Sequence, residues 1–64
     1  MAITLKAARV NAGFTQNEAA KLLNISRSAL QSYEKYRTMP NIELSKHIAT
    51  LYKINVDSII FFKQ

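Results

Sequence analysis

Arg27, Ser28, Gln31, Ser32 and Lys35 hold most of the chemistry in this 64-residue chain. Their spacing places them on one face of a helix, and no acid stands among them. Such a face donates hydrogen bonds to anions and to polar edges. An arginine can bond O6 and N7 of one guanine, and a glutamine N6 and N7 of one adenine. Nine Lys and Arg against four Asp and Glu give a net charge of +5, a balance that suits a polyanionic partner. The ingredients of other chemistries are missing. Cysteine is absent, so there is neither a disulfide scaffold nor a Cys/His metal set. The one histidine, His47, has no catalytic neighbours, and Glu43 at i−4 makes only an ordinary helix-surface pair with it. Without a nucleophile–base pair or a glycine-rich phosphate loop, no enzymatic activity and no cofactor are expected.

The face needs a scaffold, and a chain of this length supplies one small domain, residues 1–64. Helix-start and helix-stop signals divide it into five short helices. The first runs from about Thr4 to Ala12, with Leu5, Ala8 and Ala12 inward and Gly13 in the left-handed position that ends it. Thr15-Gln16-Asn17-Glu18 has the form of a capping box, opening a helix over Gln16–Leu23. Phe14 is placed to staple it, and Ala19, Ala20, Leu22 and Leu23 supply its buried side in some combination. Asn24 suits a left-handed stop, and Ser26 caps a third helix, Arg27–Lys35, with Leu30 and Tyr33 inward. A loop with Pro40 leads to a fourth helix, Ile42–Tyr52, whose core side is read as Ile42, Ile48, Ala49 and Tyr52. Asn55 is expected to cap a fifth helix through Val56, Ile59 and Ile60. No strand-like alternation is evident.

Residues 15–35 thus describe two short helices joined by a tight turn. Small residues in the first allow a close crossing, and the second keeps a polar outer face that can enter a major groove. The chain resembles the phage Cro and lambda-type repressor family, also called XRE-like. Leu5, Arg9, Gly13, Thr15-Gln16-Asn17-Glu18, Ala20, Ile25-Ser26-Arg27-Ser28, Leu30, Tyr33-Glu34, Pro40, Ile48-Ala49 and Ile54 carry the resemblance over nearly the whole length. Tyr36 stands where relatives usually have a turn glycine, and Ser45 where they have an apolar residue. The loop after the third helix is therefore expected to differ in shape, and the fourth helix to be rotated or looser.

The resemblance implies an all-α, compact five-helix domain with the helix-turn-helix as helices 2 and 3, binding operator DNA as a dimer. It places Arg27, Ser28, Gln31 and Ser32 at base edges. Gln16, Ser26, Lys35, Arg37, Thr38 and Asn41 fall at phosphates, with Gln16 also bracing the recognition helix. Arg9 and Glu34 match a structural ion pair. The apolar end at Ile60, Phe61 and Phe62 is read as part of a two-fold interface that spaces two recognition helices about 34 Å apart on a palindromic site. The partners expected are double-stranded DNA and a second copy of the chain, with a competing repressor or a toxin as a further candidate. A second reading, a protein-interaction module such as an antirepressor, uses the same fold to dock on another repressor. The N-terminal segment lacks the apolar stretch of a signal peptide, and the longest apolar run, Ile59–Phe62, falls far short of a membrane span. A cytoplasmic regulator of a bacterial or phage-infected cell is the expectation. Because the chain stops just after the fold, no sensing or self-cleaving domain is expected either.

Overall fold

The computed structural model describes residues 2–62. Its elements run β1 (Ile3–Thr4), α1 (Leu5–Asn11), α2 (Gln16–Leu23), α3 (Arg27–Glu34) and α4 (Ile42–Tyr52), then a 3-10 turn (Val56–Ser58) and β2 (Ile59–Ile60). The four α-helices lie where the sequence signals put them. Each begins at a capping side chain. Thr4 accepts from the Ala7 N–H, Thr15 from Glu18, Ser26 from Ala29 and Asn41 from Leu44. At Thr15 the capping box is complete, with the Glu18 carboxylate accepting the Thr15 N–H at 2.9 Å. That N–H, and then the Thr15 hydroxyl, hold the Glu18 carboxyl below its usual pKa.

The four helices also end alike. Gly13, Asn24, Tyr36 and Lys53 have φ of 86°, 59°, 59° and 55°. The N–H of each bonds a carbonyl three residues back, and the next N–H bonds one five residues back. This closure satisfies carbonyls that a helix end would leave unpaired. Glycine takes the left-handed conformation freely and asparagine tolerates it. Tyrosine and lysine do so at a cost of about 1–2 kcal/mol each.

Tyr36 recovers part of that cost through its hydroxyl. It donates to the Ile60 carbonyl at 2.9 Å and lies 3.4 Å from the Leu5 N–H, the first unpaired donor of α1. One side chain in the α3–α4 loop therefore ties the start of α1 to β2. Tyrosine thus stands in a left-handed turn position that a glycine would take without strain.

The fifth helix does not form. Val56–Ser58 makes one 3-10 turn without a side-chain cap from Asn55, and Ile59–Ile60 then extends. The reason is local and tertiary together. Ile59, Ile60, Phe61 and Phe62 are β-branched or aromatic and suit extended backbone. Ile3–Thr4 offers them an edge, in parallel register Ile3 to Ile59 and Thr4 to Ile60. The domain is mostly helical, with this strand pair as the one sheet among the described residues.

The core consists of Leu5, Ala8, Ala19, Ala20, Leu23, Leu30, Ile48, Ala49, Tyr52 and Ile59. Ala19 and Ala20 let α2 approach its neighbours closely. Phe14 packs on this core, its ring centroid 6.1 Å from that of Tyr52. Two apolar positions fall outside the expected faces. Leu22 points to solvent, leaving Ala19, Ala20 and Leu23 as the buried side of α2. Ile42 is 76% exposed, because six positions before Ile48 is two-thirds of a turn away from the core face. Leu44 packs on the core instead, and Ser45 beside it is half-buried. Among the described residues, no helix is long and apolar enough to cross a membrane.

Candidate nucleic-acid interface

The outer face of α3 is built from the residues singled out by their types. Arg27 and Ser28 are exposed on the first turn, and Gln31 and Ser32 are half-buried on the second. Ser26 is also exposed, with its hydroxyl committed to the Ala29 N–H at 3.0 Å. Lys35 closes the helix, and exposed Arg37 and Thr38 follow in the loop. Asn41 spends its carbonyl oxygen on the Leu44 N–H at 2.7 Å, so its amide NH2 is the part left to donate.

Glu34 is the acid of α3, and it is withdrawn from this face. Its side chain is 4% exposed and that of Arg9 8%. The Arg9 guanidinium donates from Nε to Glu34 Oε2 at 2.7 Å and from Nη2 to Oε1 at 3.3 Å. Its Nη1 reaches the Phe14 carbonyl at 2.8 Å. The expected ion pair is therefore present and buried, joining α1 to α3 and to the turn before α2. Neutralising Glu34 inside the domain leaves the outer face of α3 with cationic and neutral donors only.

Two further bonds extend the pair toward the surface. Gln16 Nε2 donates to Glu34 Oε1 at 3.1 Å, and Gln31 Nε2 donates to Gln16 Oε1 at 3.3 Å. Gln16 therefore ties α2 to α3 through both Glu34 and Gln31. That Gln31 belongs to this chain of bonds was not anticipated. Its only sequence signal is a glutamine three positions before the buried glutamate, one helical turn away.

Tyr52 lies near the pair, and its hydroxyl is buried without a hydrogen-bond partner. Burial, and then the Glu34 charge, push its pKa up to about 12, against a smaller opposite effect of Arg9. His47 is exposed on α4. Among the described residues, no three His, Cys, Asp or Glu side chains stand close enough to hold a metal.

At the apolar end the residues divide. Ile60 is half-buried in β2, Phe61 packs on the core, and Phe62 is 54% exposed.

Two crossed short helices with a close turn, the second braced from behind and presenting an acid-free outer face, define a helix-turn-helix domain. The helix-turn-helix family pattern matches residues 5–59 of the chain. A relative from Bacillus subtilis (strain 168), the HTH-type transcriptional regulator ImmR, is 38% identical over 56 residues. That match covers 88% of this chain and 44% of the relative, so the chain spans less than half the length of the curated protein it resembles. No solved structure gives a significant match. The chain belongs to the Cro/C1-type, XRE-like helix-turn-helix family.

Proposed function

We propose that this chain is a sequence-specific DNA-binding unit that regulates transcription by occupying an operator. The observation that carries this reading is the outer face of α3, polar and basic with its one acid buried against Arg9. Family membership supports it, as does the likeness to a B. subtilis transcriptional regulator. In this reading α3 enters the major groove, and Arg27, Ser28, Gln31 and Ser32 meet base edges. Gln16, Ser26, Lys35, Arg37, Thr38 and Asn41 anchor phosphates, which sets register without reading sequence.

The unit binds a palindromic site as a homodimer, with Phe62 at the centre of the two-fold contact and Ile60 and Phe61 at its edge. A bulky aromatic left half-exposed beside the strand pair supports that placement. The test is retention of sheared DNA from the source organism at two salt concentrations, with sequencing of what is retained. A short palindrome, lost at high salt, is the expected result. Retention without a motif would reduce the reading to non-specific DNA coating. No retention at low salt would overturn it in favour of a protein-docking role for the same face.

A further inference from the structure

Resting on the reading of the chain as an operator-binding dimer, we infer that the Tyr36 hydroxyl sets the spacing between half-sites. It does so by fixing the recognition helix against the strand beside the two-fold contact. Tyr36 belongs to neither the DNA-contacting nor the dimer-contacting set of that reading, and acts as a positioning residue.

The side chain is held at both ends. Its backbone closes α3: the Tyr36 N–H bonds the Tyr33 carbonyl at 3.1 Å, and the Arg37 N–H bonds that of Ser32 at 2.9 Å. Its half-buried ring carries the hydroxyl to the strand pair. There the hydroxyl donates to the Ile60 carbonyl at 2.9 Å and accepts from the Leu5 N–H at 3.4 Å. A hydroxyl can donate and accept at once, so one group reaches both β2 and the start of α1. Ile60 pairs with Thr4 and stands two residues before exposed Phe62.

Among the described residues, no other hydrogen bond joins α3 or its closing turn to β2. Apolar packing also holds these parts together, but it is non-directional. A hydrogen bond has a preferred length and angle, so it resists one part turning against the other. The left-handed φ of 59° points the same way. Tyrosine keeps that conformation against a steric cost that glycine escapes, and such an outlier marks a constraint beyond the turn itself.

A dimer has two of these ties, one in each protomer, between its recognition helices and its two-fold contact. One base pair more or less turns the second half-site by about 35° and shifts it by about 3.4 Å. A dimer with both ties accepts one spacing, and a loosened dimer also accepts its neighbours.

The experiment is selection of randomised duplexes long enough for two half-sites, by the parent, Tyr36→Phe and Tyr36→Gly. Thermal melts set a temperature at which the proteins are folded. Tyr36→Gly removes the tie together with the left-handed cost, and gives the same readout should Tyr36→Phe not fold. The enriched sequences are scored separately for the half-site motif and for the distance between its inverted copies. One such bond biases an equilibrium about fivefold, so the two together are worth up to about 25-fold. The preference of the parent for one spacing over those one base pair longer or shorter should fall by up to that factor in the variants, with the half-site motif unchanged. A spacing as sharp in the variants as in the parent would overturn the inference and leave the DNA-binding reading standing. So would a changed half-site motif, because Tyr36 would then act on base reading itself. A parent that selects single half-sites would overturn the dimer, and this inference with it. A parent that enriches no motif would overturn the DNA-binding reading as well.

Discussion

Replacing Glu34 with alanine is expected to cost about 3–5 kcal/mol, the typical price of leaving one partner of a buried ion pair uncompensated. The size follows from what remains. Arg9 keeps only the Phe14 carbonyl, at 2.8 Å, for a guanidinium that is 8% exposed. Gln16 also loses its acceptor. Against this stands the whole stability of a domain this short, about 3–10 kcal/mol at 0.05–0.15 kcal/mol per residue. The substitution therefore removes a large fraction of the total. The assay is urea unfolding of parent and Glu34→Ala at neutral pH, followed by thermal melts. At roughly 4–8 °C per kcal/mol, the melting temperature should fall by at least about 12 °C. A change below about 1 kcal/mol would refute the reasoning, because it would mean that the pair is solvated in solution and worth no more than a surface bridge.

Three other perturbations separate the remaining features. Tyr36→Phe removes the hydroxyl between Leu5 and Ile60 while keeping the ring, and should lower stability by about 1 kcal/mol in urea unfolding. Stability should also fall in alkali. The folded Tyr52 phenol keeps its proton up to about pH 12, whereas the unfolded one loses it near 10. The native state thus binds more protons in that window, and its advantage, complete below pH 10, is lost as pH rises to 12, by about 3 kcal/mol at most. Tyr52→Phe should abolish this component, seen as the difference between parent and variant unfolding curves at pH 9 and pH 11.5. Arg37→Ala should reduce the slope of log affinity against log salt by about one if Arg37 touches a phosphate, and an unchanged slope would remove it from the contact set.

The helices and the caps at Thr15 and Ser26 were legible because their signals are local, whereas Asn41 was read as a loop residue and not as the cap of α4. Thr15 and Glu18 sit three residues apart and satisfy each other whatever the rest of the chain does. Gly13 and Asn24 announce their turns by side-chain type. Tyr36 and Lys53 make the same turn with residues that do not favour it, so only the turn-glycine position of the resemblance hinted at Tyr36, and nothing hinted at Lys53. The fifth helix was misread for the opposite reason. Asn55 followed by an apolar run looks like a capped helix, and the partner that makes Ile59–Ile60 a strand lies at Ile3–Thr4, across the whole sequence. Of the candidate interface, the residue types on the outer face of α3 could be read directly. The bonds joining Gln31 to Gln16 and Glu34 could not, since they depend on how α2 crosses α3.

A buried ion pair is a poor choice if stability is all that is needed, since well-packed apolar residues of similar volume often do as well or better. Arg9→Met combined with Glu34→Leu should therefore regain most of what Glu34→Ala loses, bringing the urea midpoint back close to that of the parent. Stability would return, and binding to mixed-sequence DNA at low salt would persist. A urea midpoint that stays as low as that of Glu34→Ala would show instead that the pair supplies stability which an apolar pair of similar volume cannot.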